Sequence, residues 1–406
     1  MFRPSSRTAG LALSQIVRIS EAAARMRAEG RDVLALSTGE PDLPTPTPVC
    51  DAASRAMAEG RTRYTPTAGT PELRRAIAAT AGFAAEPAQV VVSTGAKQVL
   101  ANIFLATLDA GCEVVLPTPC WSSYNDIVAL AEGRPVEVAC GPEQGFKITS
   151  AQLEAAITSR TRWVLLNSPS NPSGALYTAN EFAALARVLE RHPHVWIASD
   201  EIYAHLSYVP FTSFRNAAPG LADRTIVISG VSKSYSMTGW RIGWGIGPEP
   251  LVNAMVAVQG QVTSGACSIA QAAAVEALTG DQGLLAERLS LFRARRDRVV
   301  AALNAIPGIA CAVPDGAFYV FPECHGLLGR TAPDGTRIET DTDLCEWLLA
   351  TEGLALVPGS AFGLPGHLRL SYAYSDADLA DGCARLIRAA TTLTASTPTA
   401  LCEPTT

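Results

Sequence analysis

The chain has 406 residues, 48% of them apolar and 17% charged, with a formal net charge of −6. That length exceeds one ordinary core and points to two domains or one large enzyme fold. The mild acidity argues against nucleic acid or an anionic membrane as the main partner. Ten cysteines without a CxxC pair argue against a zinc site or a dithiol motif.

In chain order, MFRPSSRTAGLALSQ lacks the apolar centre of a signal peptide, and no later stretch has the length of a membrane helix. With scattered thiols, the expected location is the reducing cytoplasm. SEAAARMRAEG reads as a helix ending at Gly30. DVLALST is a short strand, and the turn-rich GEPDLPTPTP looks like a crossing between domains. VCDAASRAMAEG is helical, and Thr70 with Pro71 marks a further helix start. Then AQVVVSTGAKQ, CEVVLPTPCW, TRWVLLNSPSNPSG, HVWIASDEIY and RTIVISGVSK each run apolar and β-branched before ending in polar or special residues. Helical stretches such as KQVLANIFLATLDAG and ANEFAALARVLERH separate them, the pattern of a mainly parallel sheet covered on both faces.

After about Ser290 a long basic helix, LFRARRDRVVAALNAI, is followed by short strands in GAFYVFP, GLALVPG and HLRLSYA and a helix near DLCEWLLATEG. These suggest a second, smaller α/β domain. Cys324 beside His325 invites a metal reading, but no second pair completes a site, and no metal is expected. The tail TTLTASTPTALCEPTT is poor in large apolar groups and is expected to be disordered.

In open parallel sheets, ligands bind beyond the carboxyl ends of the strands. Those ends would deliver Lys97, Trp121, Asn171, Asp200, Tyr203, Ser232 and Lys233 to one crevice. The set offers one carboxylate, an indole, amide and phenol donors and two lysines, with no histidine and no Ser-His-Asp arrangement. An aromatic cofactor bearing a phosphate suits it better than hydrolysis or hydride transfer. Gly95 and Ala96 at a strand-to-helix turn can present bare N–H groups to a phosphate. Lys97 sits in the first helical turn, where the dipole disfavours a cation unless a ligand anion is present, although a solvated lysine is the plain alternative. Asp200 could hold a proton on a pyridine nitrogen, or simply cap a helix. Trp121 could stack on a ring, or be a core indole. Lys233, just past a buried strand, reads as a reactive amine.

Taken together, GEPD, YTPTAGTPELR, GAKQ, NSPSNPSG, SDEIY, SKSYSMTGWRIG, GAFYV and RLSYA resemble, in order from about Val33 to Ala373, the fold-type I pyridoxal-phosphate aminotransferases of class I, in the bacterial aspartate aminotransferase branch. The resemblance implies an α/β fold: a large domain with a mainly parallel seven-stranded sheet between helices, plus a smaller α/β domain. The expected divisions are an N-terminal segment 1–45 belonging with the small domain, a cofactor-binding domain 46–290, a small domain 291–392 and a tail 393–406. Lys233 corresponds to the lysine that bonds the cofactor and moves the substrate proton. Asp200 corresponds to the partner of the ring nitrogen, and Tyr203 and Asn171 to the donors on the ring oxygen. Trp121 matches the stacking indole, and Ser232, Arg241, Gly95, Ala96 and Lys97 match the phosphate and pocket groups. Tyr64 resembles the tyrosine that reaches the neighbouring subunit's phosphate, which implies a homodimer with shared sites. Arg369 matches the grip on the substrate α-carboxylate, with Gly39 offering backbone to it.

Lys97 beside Trp121 favours a distal carboxylate, hence aspartate or glutamate with 2-oxoglutarate or oxaloacetate, in ping-pong kinetics. The segment ALSQIVRIS departs from similar enzymes, placing Gln15, Ile16 and Arg18 beside Ser14 where small hydroxyl residues are usual. Gly230 likewise replaces a serine seen in some relatives. An aromatic or broad-range aminotransferase is therefore the nearest alternative, and a β-lyase or decarboxylase on the same scaffold a further one. A ligand-sensing regulator is disfavoured, because no DNA-binding domain fits before Val33. A nicotinamide dehydrogenase is disfavoured because GWRIGWGIG lacks the strand-first glycine context.

Overall fold

The computed structural model describes residues 2–9, 11 and 15–394. Seven strands form the main sheet in the spatial order Val90–Thr94, Ile242–Ile246, Thr225–Gly230, Trp196–Asp200, Thr161–Asn167, Glu113–Thr118 and Arg134–Ala139. Every pairing is parallel except the two made by Ile242–Ile246. The apolar runs are continuous because both faces are covered. Val114 and Leu116 enter one core cluster with Val99, Leu100 and Leu251, whereas Val115 enters the opposite one with Phe182 and Phe214. Each fully buried side chain of this kind contributes about 1.5–3 kcal/mol before chain entropy is subtracted.

Two of the seven strands have no counterpart in the apolar runs. Arg134–Ala139 lies at the sheet edge with every residue exposed or half-exposed, so RPVEVA never needed a hydrophobic run. Ile242–Ile246 is wholly buried, yet its IGWGI sequence looks like a loop. A Cβ at Gly245 would approach Ile226 and Val99 to 2.9 and 3.0 Å. Its smallness lets the helix Ala96–Thr107 lie close on the strand.

The C-terminal part is built on the three-stranded antiparallel sheet Val357–Pro358, Leu368–Ser371 and Tyr319–Val320. Helices Gly283–Asn304, Asp341–Glu352 and Asp376–Thr392 cover it. The strand Leu34–Ala35 pairs in parallel with Leu354–Ala355, and Leu36 joins the apolar cluster that extends from Phe292 to Leu393. The first long helix runs Gln15–Ala28 and so begins ahead of SEAAARMRAEG, while the basic helix begins at Gly283, ahead of Ser290. Of the tail expected from residue 393, Leu393 is buried and Thr394 bridges to Thr331; residues 395–406 lie outside the described part, as does Ser14. Among the described residues no helix is long and apolar enough to cross a membrane.

One buried arginine fastens the crossing segment GEPDLPTPTP to the C-terminal part. Arg295 grips Asp42 with two parallel bonds of 2.8 and 2.9 Å and donates a third, of 3.1 Å, to Asp376. From the same helix, Arg288 donates to the carbonyls of Pro44 and Ser234 at 2.8 and 2.7 Å. The helix thereby holds both the segment containing Gly39 and the loop after Lys233. Replacing the guanidinium with an apolar stem (Arg295→Met) is expected to lower stability by about 2 kcal/mol. Urea denaturation would show this as a lower midpoint; an unchanged midpoint would show that the clamp contributes nothing.

Candidate active site

The carboxyl ends of the parallel strands open into a cavity of about 320 Å³. Gly39, Ala96, Lys97, Trp121, Asn171, Asp200, Tyr203, Ser232, Lys233, Arg241 and Arg369 all line it. Sequence positions more than three hundred residues apart thus converge. Gly95 stands directly behind, its Cα against the Arg241 guanidinium. Tyr64 is not brought in: it is 95% exposed and lines a separate depression with Thr263 and Ile269. Cys324 is buried away from the cavity, and no described group of His, Cys, Asp and Glu is arranged to hold a metal.

Asp200, at the end of strand Trp196–Asp200, is buried without a salt bridge among the described residues. Tyr124 donates to its Oδ2 at 2.7 Å and the Ile202 N–H to its Oδ1 at 3.2 Å. Burial nevertheless prevails and pushes the carboxyl up to about 6. Lys233 follows the neighbouring strand Thr225–Gly230 and donates from Nζ to the Gly39 carbonyl at 2.6 Å. Desolvation lowers its pKa to about 8, with Glu40 pulling the other way and Arg369 and Arg241 adding to the depression. A large fraction of this amine is therefore uncharged, and nucleophilic, at mildly alkaline pH.

At the anionic end, Gly95 (φ +81°) begins the helix Ala96–Thr107 and turns its first amides toward the cavity mouth. Any Cβ at Gly95 would strike Arg241, and any at Gly243 the Ala96 nitrogen. Bare backbone is what keeps this cradle open. Arg241 itself takes a left-handed conformation (φ +59°), steadied by its Nη1 bond to the Thr238 carbonyl at 2.8 Å. Gly230 has the Ile242 carbonyl 2.9 Å from any added Cβ, so no side chain fits there without displacement.

Arg369 is 1% exposed. Its Nη1 donates to Asn171 Oδ1 at 3.0 Å and its Nη2 to the Ser37 carbonyl, while Nε is buried with no partner. The guanidinium lies 4.7 Å from the Tyr319 ring centre and 4.9 Å from that of Phe362. Burial pulls its pKa down. A buried cation with an orphaned donor is costly until an anion arrives. Lys97 sits 4.6 Å over the Trp121 ring and donates to Ser123 Oγ at 3.2 Å. Its pKa is lowered, by burial first and then by Arg241, against the pull of Asp126.

Tyr124, Asn167 and Tyr319 also line the cavity without having been singled out from the sequence. Tyr124 and Tyr319 stand in apolar surroundings and look like core aromatics; their hydroxyls, which need partners when buried, were the available signal. Asn167 fixes the strand end, donating to the Asp200 carbonyl at 2.9 Å and accepting from the Asn171 N–H at 2.8 Å.

A family model described as aminotransferase class I and II matches residues 31–386. The chain belongs to this family. The aspartate aminotransferase of Rhizobium meliloti (strain 1021) is 51% identical over 394 residues, 96% of either chain. The aspartate/prephenate aminotransferase of Cereibacter sphaeroides is 50% identical over 92% of this chain and 95% of its own. Among solved structures, the aspartate aminotransferase of Rhizobium meliloti superimposes with a TM-score of 0.95 at 50% identity, covering 97% of this chain and all of that one. That of Thermus thermophilus with maleate gives 0.88 at 38% identity, covering 96% of this chain and all of its own. The protein is thus an aminotransferase of fold type I that depends on pyridoxal 5′-phosphate and acts on an amino acid and a 2-oxo acid.

The cavity suits that cofactor on its own terms. It pairs a carboxyl floor with an open amide-and-arginine cradle, an indole wall and a desolvated amine. Uptake of pyridoxal phosphate by cofactor-free protein should follow the neutral form of Lys233, so its rate should rise with pH through a midpoint near 8. Stopped-flow absorbance across pH would measure it; a midpoint near 10, the range of an ordinary lysine, would contradict the depressed basicity.

Proposed function

We propose that the protein moves the α-amino group of a dicarboxylic amino acid, aspartate or glutamate, to 2-oxoglutarate or oxaloacetate in two half-reactions. Bound pyridoxal phosphate supplies a heterocycle that withdraws electrons and acidifies the substrate Cα proton. Lys233 holds the cofactor and, once the incoming amine takes its place, carries that proton away from Cα. Asp200 keeps a proton on the ring nitrogen, and Tyr203 and Asn171 donate to the ring oxygen. Ser232, Arg241 and the amides of Gly95 and Ala96 bind the phosphate, and Trp121 covers a ring face. Arg369, through its planar fork, and the Gly39 backbone receive the α-carboxylate.

The observation that carries the substrate assignment is the presence of two desolvated cations in one cavity, Arg369 with its orphaned Nε and Lys97 on Trp121. Two anionic ends on one small substrate would satisfy both. Ile16 favours a second substrate for the same site. It lines the cavity and packs against the cluster of Phe321 and Phe362, an apolar wall. Prephenate, named for relatives about 50% identical, has two carboxylates and a cyclohexadiene ring whose hydrocarbon part could meet that wall.

We further propose that residues 46–290 and 291–392 act as large and small domains, with 1–45 attached to the latter. In a homodimer, exposed Tyr64 would serve the other copy's phosphate site. The thiols, all free among the described residues, suit the cytoplasm.

Removing one cation separates the substrate classes. Lys97→Met should raise the apparent KM for aspartate roughly tenfold or more while leaving that for phenylalanine within about threefold. Steady-state kinetics with both donors would show this, and equal changes would remove Lys97 from distal recognition. Shared sites have their own test. Co-refolded Tyr64→Ala and Lys233→Ala chains form mixed dimers in which one site carries both defects and the other none. Mixtures should therefore regain activity that neither variant has alone; no recovery would contradict the exchange of Tyr64.

A further inference from the structure

Tyr319 lies between the two halves of the site and belongs to neither in the roles above. Its side chain is 1% exposed, and its hydroxyl is 3.0 Å from that of Tyr203. The two rings meet edge to face, with centres 5.9 Å apart at 82°. Among the described residues Tyr203 is the sole hydrogen-bond partner of the Tyr319 hydroxyl. The backbone has made room for that hydroxyl: any Cβ at Gly39 would collide with it. The Tyr319 ring in turn supports the Arg369 guanidinium, which comes from the neighbouring strand.

Two facing phenols can share only one of their protons along the line between them. If Tyr203 spends its proton on Tyr319, it has none for a ligand. A ligand oxygen that accepts from Tyr203 therefore requires Tyr319 to donate to Tyr203. A phenol that receives a hydrogen bond is itself a stronger donor, because the bonds polarise one another in a dry site. We propose that Tyr319 is a positioning residue of the reaction: its hydroxyl donates to Tyr203 and so directs the single proton of Tyr203 toward the cofactor's ring oxygen. Tyr319 acquires this role on the assignment of Tyr203 made above. The charged and titratable groups around the phenol pair are Arg369, Tyr374, Asp200 and Lys233; Arg369 opposes the burial that raises both hydroxyls, while Asp200 reinforces it at Tyr203.

The test uses Tyr319→Phe holoenzyme, which loses the hydroxyl but keeps the ring under Arg369. The titrating proton of the lysine-linked chromophore lies between its nitrogen and the ring oxygen, and a donor on that oxygen favours the deprotonated form. A weakened Tyr203 should therefore raise the pH midpoint of the absorbance change by about half a unit to one unit. The kcat should fall several-fold, and KM for the amino acid should move less than about threefold. In a Tyr203→Phe background the same substitution should leave the midpoint where it is. Gly39→Ala, which drives a methyl group against the hydroxyl with Tyr319 in place, should shift the midpoint upward as well and serves if the phenylalanine variant fails to fold. An unmoved midpoint, or a shift of equal size without Tyr203, overturns the role of Tyr319. Absence of any cofactor absorbance in the unaltered protein would instead overturn the assignment of the site itself.

Discussion

Everything in the molecule turns on burying a carboxyl and an amine at adjacent strand ends without pairing them. Asp200 and Lys233 leave neighbouring parallel strands, and among the described residues neither forms a salt bridge. Each is held by neutral partners: a phenol and an amide for the acid, a carbonyl for the amine. Desolvation then moves the two groups toward each other, the acid up to about 6 and the amine down to about 8. A stable domain would gain by replacing such groups with apolar ones. Their retention makes sense where a ligand completes them, a ring nitrogen for one and an aldehyde carbon for the other.

The fold pays for this arrangement with rigidity elsewhere. The sheet is covered on both faces, so its strand ends cannot shift independently. Arg295 and Arg288 tie the Gly39 segment and the Lys233 loop to one helix, so donor and acceptor arrive in register. The glycines at 95 and 243 leave the backbone bare at the cradle proposed for the cofactor phosphate. Arg369, the proposed grip on substrate, is held in place by distant pieces of chain, donating to Asn171 and to the Ser37 carbonyl. In the proposed roles, carboxylate binding and placement of the cofactor oxygen would therefore share one residue, Asn171.

Much of this was legible in the residues because parallel strands announce themselves. Continuous apolar runs ending in TGAK, SDEIY and SGVSK located the carboxyl ends of the strands, and with them the cavity. Strands whose physics differs were silent. The edge strand Arg134–Ala139 is solvated, and Ile242–Ile246 is glycine-rich because a helix presses on it. Site residues with unusual chemistry for their place, such as a lysine after a buried strand, stood out. Tyr319 did not, since a tyrosine in the apolar run GAFYVFP is equally at home in a core, and neither did Tyr124, whose polar neighbours Ser123 and Asn125 give no sign of its partner. Only the folded chain shows that the Tyr124 hydroxyl meets Asp200 and that of Tyr319 meets Tyr203. Tyr64 matched a motif, yet the single chain leaves it in solvent, away from the cavity; the role proposed for it needs a second copy.

The central claim is that the Lys233 amine, and no other, forms the bond to pyridoxal phosphate. Borohydride reduction of the cofactor-loaded protein, followed by proteolysis and mass spectrometry, tests it directly. One phosphopyridoxyl group per chain, on the peptide containing SGVSKSYSMTGWR, is the predicted result. Label on Lys97, on Lys147, or on no peptide after saturation with the cofactor would contradict it.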